Sequence, residues 1–168
     1  GKILNPITKI LMEENSEFEM DTIQLGGVTY SKRDTEALLK ENAKLIIKEK
    51  ILTTDTQEAI TNFNVTLEGK NSHVQVISRS VAKGKSKQSF TSNIIGKAEC
   101  FGHVECDGIL LDNAQIVSIP KIDALCPEAS LVHEAAIGKI AGEQLIKLMS
   151  LGLTREEAEN LIIKGYLS

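Results

Sequence analysis

Cys106 is the side chain with the most scope for chemistry in this chain. It sits in the run His103-Val104-Glu105-Cys106-Asp107-Gly108-Ile109-Leu110-Leu111, a strand-like segment with a carboxylate on either side of the thiol. Adjacent negative charge disfavours a thiolate, so these surroundings do not describe an activated nucleophile. They do permit a metal ligand. Thiolates bind iron and iron–sulfur clusters well, and a carboxylate or an imidazole can complete such a site. The alternative is a small buried hydrophobe, the commonest fate of a free cysteine. The second candidate is the pair His133-Glu134, within Leu131-Val132-His133-Glu134-Ala135-Ala136. On a strand, neighbouring side chains face opposite ways, so one of the pair can enter a site while the other points away or across an interface. The alternative is a surface pair with no role. Cys100 and Cys126 read as core thiols, and His73 and His103 as structural histidines.

Other constellations are missing. There is no G-x-x-x-x-G-K-[ST] phosphate loop, so the chain is not expected to hydrolyse ATP itself. There is no G-x-S-x-G elbow, no H-E-x-x-H zinc helix and no dinucleotide fingerprint. No C-x-x-C pair is present either, which argues against a closed structural zinc site. Three cysteines at irregular spacing do not make a secreted disulfide framework, and reduced thiols in a cytoplasmic protein are the better reading. The formal net charge is −4 with Lys and Arg spread along the chain, so nucleic acid is not an expected partner. Apolar runs such as Leu45-Ile46-Ile47 are far short of the ~20 residues needed to cross a bilayer, so no membrane association is expected.

The elements that would hold these residues divide at about Gly138. Before it, segments are short, β-branched and bounded by turn residues: Leu45–Lys48, Phe63–Leu67, His73–Ile77, Ile109–Leu111 and Ile116–Ile119. Four stretches share a local grammar of a polar residue, then Ala or Ser, then one variable residue, then an aliphatic. They are Glu41–Leu45, Lys70–Val74, Asp112–Ile116 and Pro127–Leu131. A solenoid of stacked β-rungs repeats such corners, because each rung buries its apolar side only against its neighbours. The spacing of the four is not constant, and an antiparallel sandwich with similar turns stays open on pattern alone. With only four Phe and two Tyr, the core must be built from aliphatics, which suits thin, regularly stacked layers. After Gly138, the spacing of Ile137, Ile140, Ala141, Leu145 and Leu148 is helical, with Gly152 as the stop. Thr154-Arg155-Glu156-Glu157 is a capping box, and Ala158, Leu161 and Ile162 give an apolar stripe to Gly165, where the second helix is expected to end. The expected organisation is a β body over residues 1–136 and an αα-hairpin over residues 137–168.

Several of these segments, in order, resemble the C-terminal signature of the SufB/SufD family. Glu105-Cys106-Asp107-Gly108-Ile109-Leu110 is similar to the family's Arg-Cys-Asp-Ser-Leu-Leu, with Glu and Gly in place of the usual Arg and Ser. Val132-His133-Glu134-Ala135 is similar to His-Glu-Ala in the SufB branch and His-Gly-Ala in the SufD branch. The likeness continues through Ile137–Leu145, Leu151–Thr154 and Gly165-Tyr166, where the family has Gly-Phe. Upstream, Ser31-Lys32-Arg33-Asp34, Ser78-Arg79-Ser80 and Ile94-Ile95-Gly96 also fit.

The resemblance implies a right-handed parallel β-helix followed by a C-terminal helical segment. It implies a scaffold for iron–sulfur cluster assembly, not an enzyme, with Cys106, His133 and Glu134 as candidate ligands of a transient cluster that is not expected in the purified fragment. The implied partners are a SufC-type ATPase on the C-terminal helices, a second SufB/SufD-type chain or a second copy through the β-helix, and a sulfur donor protein. Family members are considerably longer, so a fragment or a short form is expected. A structural SufD-like subunit carrying no cluster is the other reading.

Overall fold

The backbone coils into five two-strand rungs, each lying on the one before it. The computed structural model describes residues Gly1 to Ser168. The first rung is β2 (Ile7–Met12) with β3 (Glu17–Leu25), and β1 (Ile3–Leu4) extends it beyond Pro6. Then follow β4 (Tyr30–Leu39) with β5 (Lys44–Thr53), β6 (Glu58–Leu67) with β7 (Ser72–Ala82), β8 (Lys87–Gly96) with β9 (Cys100–Leu110), and β10 (Gln115–Ala124) with β11 (Ser130–Lys139). The even-numbered strands and β1 form one parallel sheet, and β3, β5, β7, β9 and β11 form the other. The chain is therefore a parallel β-solenoid, and the antiparallel sandwich is excluded.

Register explains why the repeat looked irregular in the sequence. Tyr30 pairs with Glu58, Glu58 with Lys87 and Lys87 with Gln115, so the period is 28 or 29 residues there. There are two families of corner. Asn15, Asn42 and Asn71 turn one corner with φ of 61°, 56° and 58°, while Asp55, Gly84 and Asp112 turn the other with φ of 56°, 76° and 58°. Asparagine and aspartate tolerate this left-handed backbone because the short side chain can bond locally. Three of the four similar stretches in the sequence belong to the first corner and Asp112–Ile116 to the second, so their spacings mix two offsets. The amide of Asn42 donates to Asn15 at 3.0 Å and that of Asn71 to Asn42 at 3.3 Å, which ties the first corner into a ladder.

The interior is divided lengthwise. Beside the asparagine corner it is apolar, with Leu39, Leu45, Ile47, Val65, Leu67, Val74, Val76 and Ile94 among the buried cluster. Beside the other corner it is polar: Ser31, Glu49, Thr53, Thr61, Ser78, Ser80, Ser86 and Gln88 are all buried. Their hydrogen bonds run between rungs and sheets, as from Gln88 to Thr53 at 3.0 Å and to the Val81 carbonyl at 2.8 Å. Such pairing is what permits polar side chains inside.

The two C-terminal helices follow the solenoid. β11 continues to Lys139 and α1 spans Gly142–Ser150, so Ile137 and Ile140 lie before the helix whose spacing they imitate. Gly152 sits just past α1 at φ 96°, as expected of a helix stop. The capping box of Thr154 and Glu157 opens α2 (Arg155–Leu167), which runs on through Gly165. No helix is long and apolar enough to cross a membrane.

Candidate functional site

Cys106 lies on β9, and alternation along that strand buries Cys100, Val104 and Cys106 while His103, Glu105 and Asp107 stay partly exposed. Its thiol is therefore inside the solenoid, with no exposed area. Burial pushes the thiol up to about 11; the Ser118 hydroxyl opposes this, while Glu49 and Asp107 add to it. The protein thus holds Cys106 as a neutral thiol at physiological pH. Ser118 lies across the interior on β10, in the opposite sheet, its hydroxyl buried and without a hydrogen-bond partner.

His133 and Glu134 lie on β11, the last strand of its sheet. Ala135 pairs with Cys106 and His133 with Val104, so His133 faces the same interior as Cys106 from the next strand. Both ring nitrogens of His133 are shielded from solvent and have no hydrogen-bond partner. Burial lowers its proton affinity and so does the nearby His103, which keeps the imidazole neutral and its lone pair available. Glu134 faces the other way. Its carboxylate meets the His103 ring at 3.2 Å on the outer surface, two-thirds exposed. The three-donor set expected from the sequence is thus not brought together: Cys106 and His133 share the interior, and Glu134 is separated from them by the sheet itself. No three His, Cys, Asp or Glu side chains converge to hold a metal ion.

The other candidates fall apart in the same way. Cys100 is buried at the asparagine-side corner, and Cys126, partly exposed, donates to Glu128 at 3.0 Å. His73 stacks on Phe101 on the outer face, ring centroids 4.8 Å apart.

Two interior residues escaped the reading of the sequence. Ser118 faces Cys106 only because the two sheets enclose one interior, which no local pattern announces. Glu49 is fully buried and in register with Ser78, which is in register with Cys106, so the three form one inward column on successive rungs. Thr61 and Ser78 each donate to Glu49 at 3.3 Å. Burial raises this carboxyl to about 7, against the partial relief of Arg33 and the two hydroxyls. The space around Glu49, Thr61, Phe90 and Ile116 is too small for a water molecule. Had the period of 28 or 29 residues been recognised, counting back from Cys106 through Ser78 would have reached Glu49.

The rung that carries His133 is the end of the stack. β10 and β11 each have a neighbouring strand on one side only, and Val117, Ile119, Ile122 and Val132 are exposed there. Pro120 lies within β10, a position a central strand would not tolerate.

Comparison with known proteins gives a consistent picture. The family model described as SUF system FeS cluster assembly, SufBD core domain, matches residues 6–166. The chain is 36% identical over 166 residues to an iron–sulfur cluster assembly SufBD family protein of Archaeoglobus fulgidus, covering 98% of this chain and 45% of that protein. It is 33% identical over 164 residues to one of Pyrococcus horikoshii, covering 96% and 37%. To one of the alga Galdieria sulphuraria it is 28% identical over 172 residues, covering 99% and 78%. The chain therefore spans less than half the length of the two archaeal relatives.

Proposed function

The chain belongs to the SufBD family of iron–sulfur cluster assembly proteins, and on that premise we propose that it is a scaffold segment in which Cys106 takes up sulfur or iron and His133 supplies a second donor. The observation that carries this reading is their shared interior at the end of the solenoid. A thiol and a neutral imidazole lie on neighbouring strands, and neither ring nitrogen is committed elsewhere. Sulfur and imidazole nitrogen suit iron, which is here the cargo and not a resident cofactor. Glu134 contributes from the outer face or not at all.

One chain offers two inward donors where a cluster commonly takes four, so the remainder comes from elsewhere. The exposed last rung is the surface on which a second copy, or a SufB/SufD-type partner, completes the set. The helices carry a second surface: Ile146, Met149 and Leu151 on or beside α1 and Leu161 on α2 are 43–77% exposed, an apolar patch for a SufC-type ATPase. The chain has no part in nucleotide hydrolysis on this reading. It works in the cytoplasm and receives sulfur from a donor protein.

A second reading has its own support. The full burial of Cys106 and its raised thiol are what a structural subunit carrying no cluster would show. The test is anaerobic iron–sulfur reconstitution of the full-length protein with its ATPase partner, comparing the parent with Cys106→Ser and His133→Ala by absorption spectroscopy. The scaffold reading expects a cluster spectrum that is lost with Cys106→Ser. A cluster retained in Cys106→Ser removes the thiol from the site, and no cluster in the parent favours the structural subunit.

A further inference from the structure

Helix α2 is a strap laid along the flank of the solenoid. Ile163, Tyr166 and Leu167 belong to an apolar cluster with Leu52, Val81, Ile109 and Leu111. Leu52, Val81 and Ile109 are register partners on β5, β7 and β9, so the helix crosses three successive rungs. Polar contacts fasten both ends. The largely buried Glu159 carboxylate accepts from Lys83 of the solenoid at 3.2 Å and, within the helix, from Arg155 at 3.0 Å, and Lys50 donates to the Ser168 carbonyl at 2.7 Å. Helix α1 has no buried residue, so the attachment belongs to α2.

One group in this interface is unaccounted for. The Tyr166 hydroxyl is shielded from solvent and has no hydrogen-bond partner. A buried hydroxyl left unpaired carries an uncompensated desolvation cost, so a neighbouring arrangement that pairs it competes with this one. Asp107 and Arg79 are the charged groups that act on it most, the carboxylate holding its proton on and the guanidinium opposing. These two are themselves register partners on β9 and β7, and Asp107 is two residues from Ile109, which is packed against the same cluster as Tyr166. Asp107 is thus a carboxylate on the same strand and the same outer face as Ile109, beside a donor that lacks an acceptor.

We propose that α2 has two seats on the solenoid: the one described, resting on apolar contact with the Tyr166 hydroxyl unpaired, and a second in which that hydroxyl donates to the Asp107 carboxylate. The second seat ties the strap to β9 at the residue directly after Cys106. Because β9 points Asp107 outward and Cys106 inward, a change of seat on the flank is felt by the strand that carries the thiol, whatever the thiol binds. Any partner that loads the helices shifts the balance between the seats by its difference in affinity for them.

The chain has two tyrosines and no tryptophan, so Tyr30→Phe leaves Tyr166 as the only emitter. A tyrosine bonded to a carboxylate is quenched. Time-resolved fluorescence of the full chain with Tyr30→Phe is expected to show two lifetimes, and adding Asp107→Asn, a near-isosteric change, is expected to remove the shorter. Tyr166→Phe keeps the apolar packing and removes only the hydroxyl. It is expected to raise amide exchange several-fold over residues 104–110 and to leave β5 unchanged. A single lifetime indifferent to Asp107→Asn, or exchange in β9 identical in Tyr166→Phe and parent, overturns the two-seat arrangement.

Discussion

Replacing Glu49 by Gln should make the protein more stable at pH 8 and leave it nearly unchanged at pH 5. In the unfolded chain this carboxyl ionises near its ordinary value of 4.5, whereas burial inside the solenoid raises it to about 7. Between those values the folded protein keeps a proton that the unfolded chain releases, so unfolding becomes easier as the pH rises. Above about 7 both states are ionised and the loss is complete. A difference of about 2.5 pH units corresponds to about 3 kcal/mol, a large share of the stability of a domain this size. No solvent screening reduces the figure, because the residue is 1% exposed and its surroundings admit no water. Glutamine has the shape of the protonated acid and stays neutral throughout, at the expense of about 1 kcal/mol if Thr61 and Ser78 cannot both satisfy its amide. Urea unfolding at pH 5, 6, 7 and 8, taken as the difference between Glu49→Gln and the parent, cancels the titration of every other group. The difference should grow by about 3 kcal/mol in favour of the variant from pH 4.5 to pH 8, most of it between pH 5 and pH 7. A flat difference across that range would show that Glu49 does not hold a proton in the folded state, and so would a variant that loses ground as the pH rises.

Three further outcomes follow from the corners and the thiols. A methyl group at Gly69 would lie 2.0 Å from the backbone nitrogen of Glu41, so Gly69→Ala should lower stability by at least ~3 kcal/mol, read as a fall in the urea midpoint. Asn42 has φ of 56°, so Asn42→Ala must bear a left-handed cost of about 1–2 kcal/mol that Asn42→Gly largely avoids, though both lose the ladder bonds; thermal unfolding should rank the glycine variant higher. Cys126 is the one thiol that is not buried, so it should be labelled first by an aromatic disulfide at pH 8, with Cys106 following only as the chain unfolds. Peptide mass spectrometry over time tests this, and simultaneous labelling of the two would contradict it.

The architecture was legible where residues act locally. The small residue after each polar corner marked the turns, and the Thr154 and Glu157 capping pair marked the start of α2. What misled was coincidence of period. Ile137 and Ile140 sit three apart as on a helix, but Ile137 pairs with Gly108 across the sheet, and the ladder to β9 outweighs a helical spacing of so few residues. Gly165 did not end α2 because Tyr166 and Leu167 continue the face packed on the solenoid, which offsets the ~1 kcal/mol a helical glycine costs. The site was half legible for a similar reason. That His133 and Glu134 face opposite ways is a property of any strand. Which of them shares a side with Cys106, and that Ser118 looks across at it, depends on the register of residues 29 apart on neighbouring strands or on the pairing of two sheets.

The register has a consequence for distance. Each rung advances the stack by one strand spacing, about 4.8 Å, and returns every side chain to the face it occupied a turn earlier. Length along the axis is therefore quantised: inserting a whole turn displaces what lies beyond it by one fixed step and leaves its orientation unchanged, whereas a single extra residue within a strand would exchange inside for outside. The spare residue of the last rung lies where this harm does not arise. Ala124 pairs with Gly96 and Ser130 with Phe101, so five residues span the corner above four. That slack sits in the loop around Cys126, and the phase of His133 over Val104, and so its side shared with Cys106, passes through it unaltered.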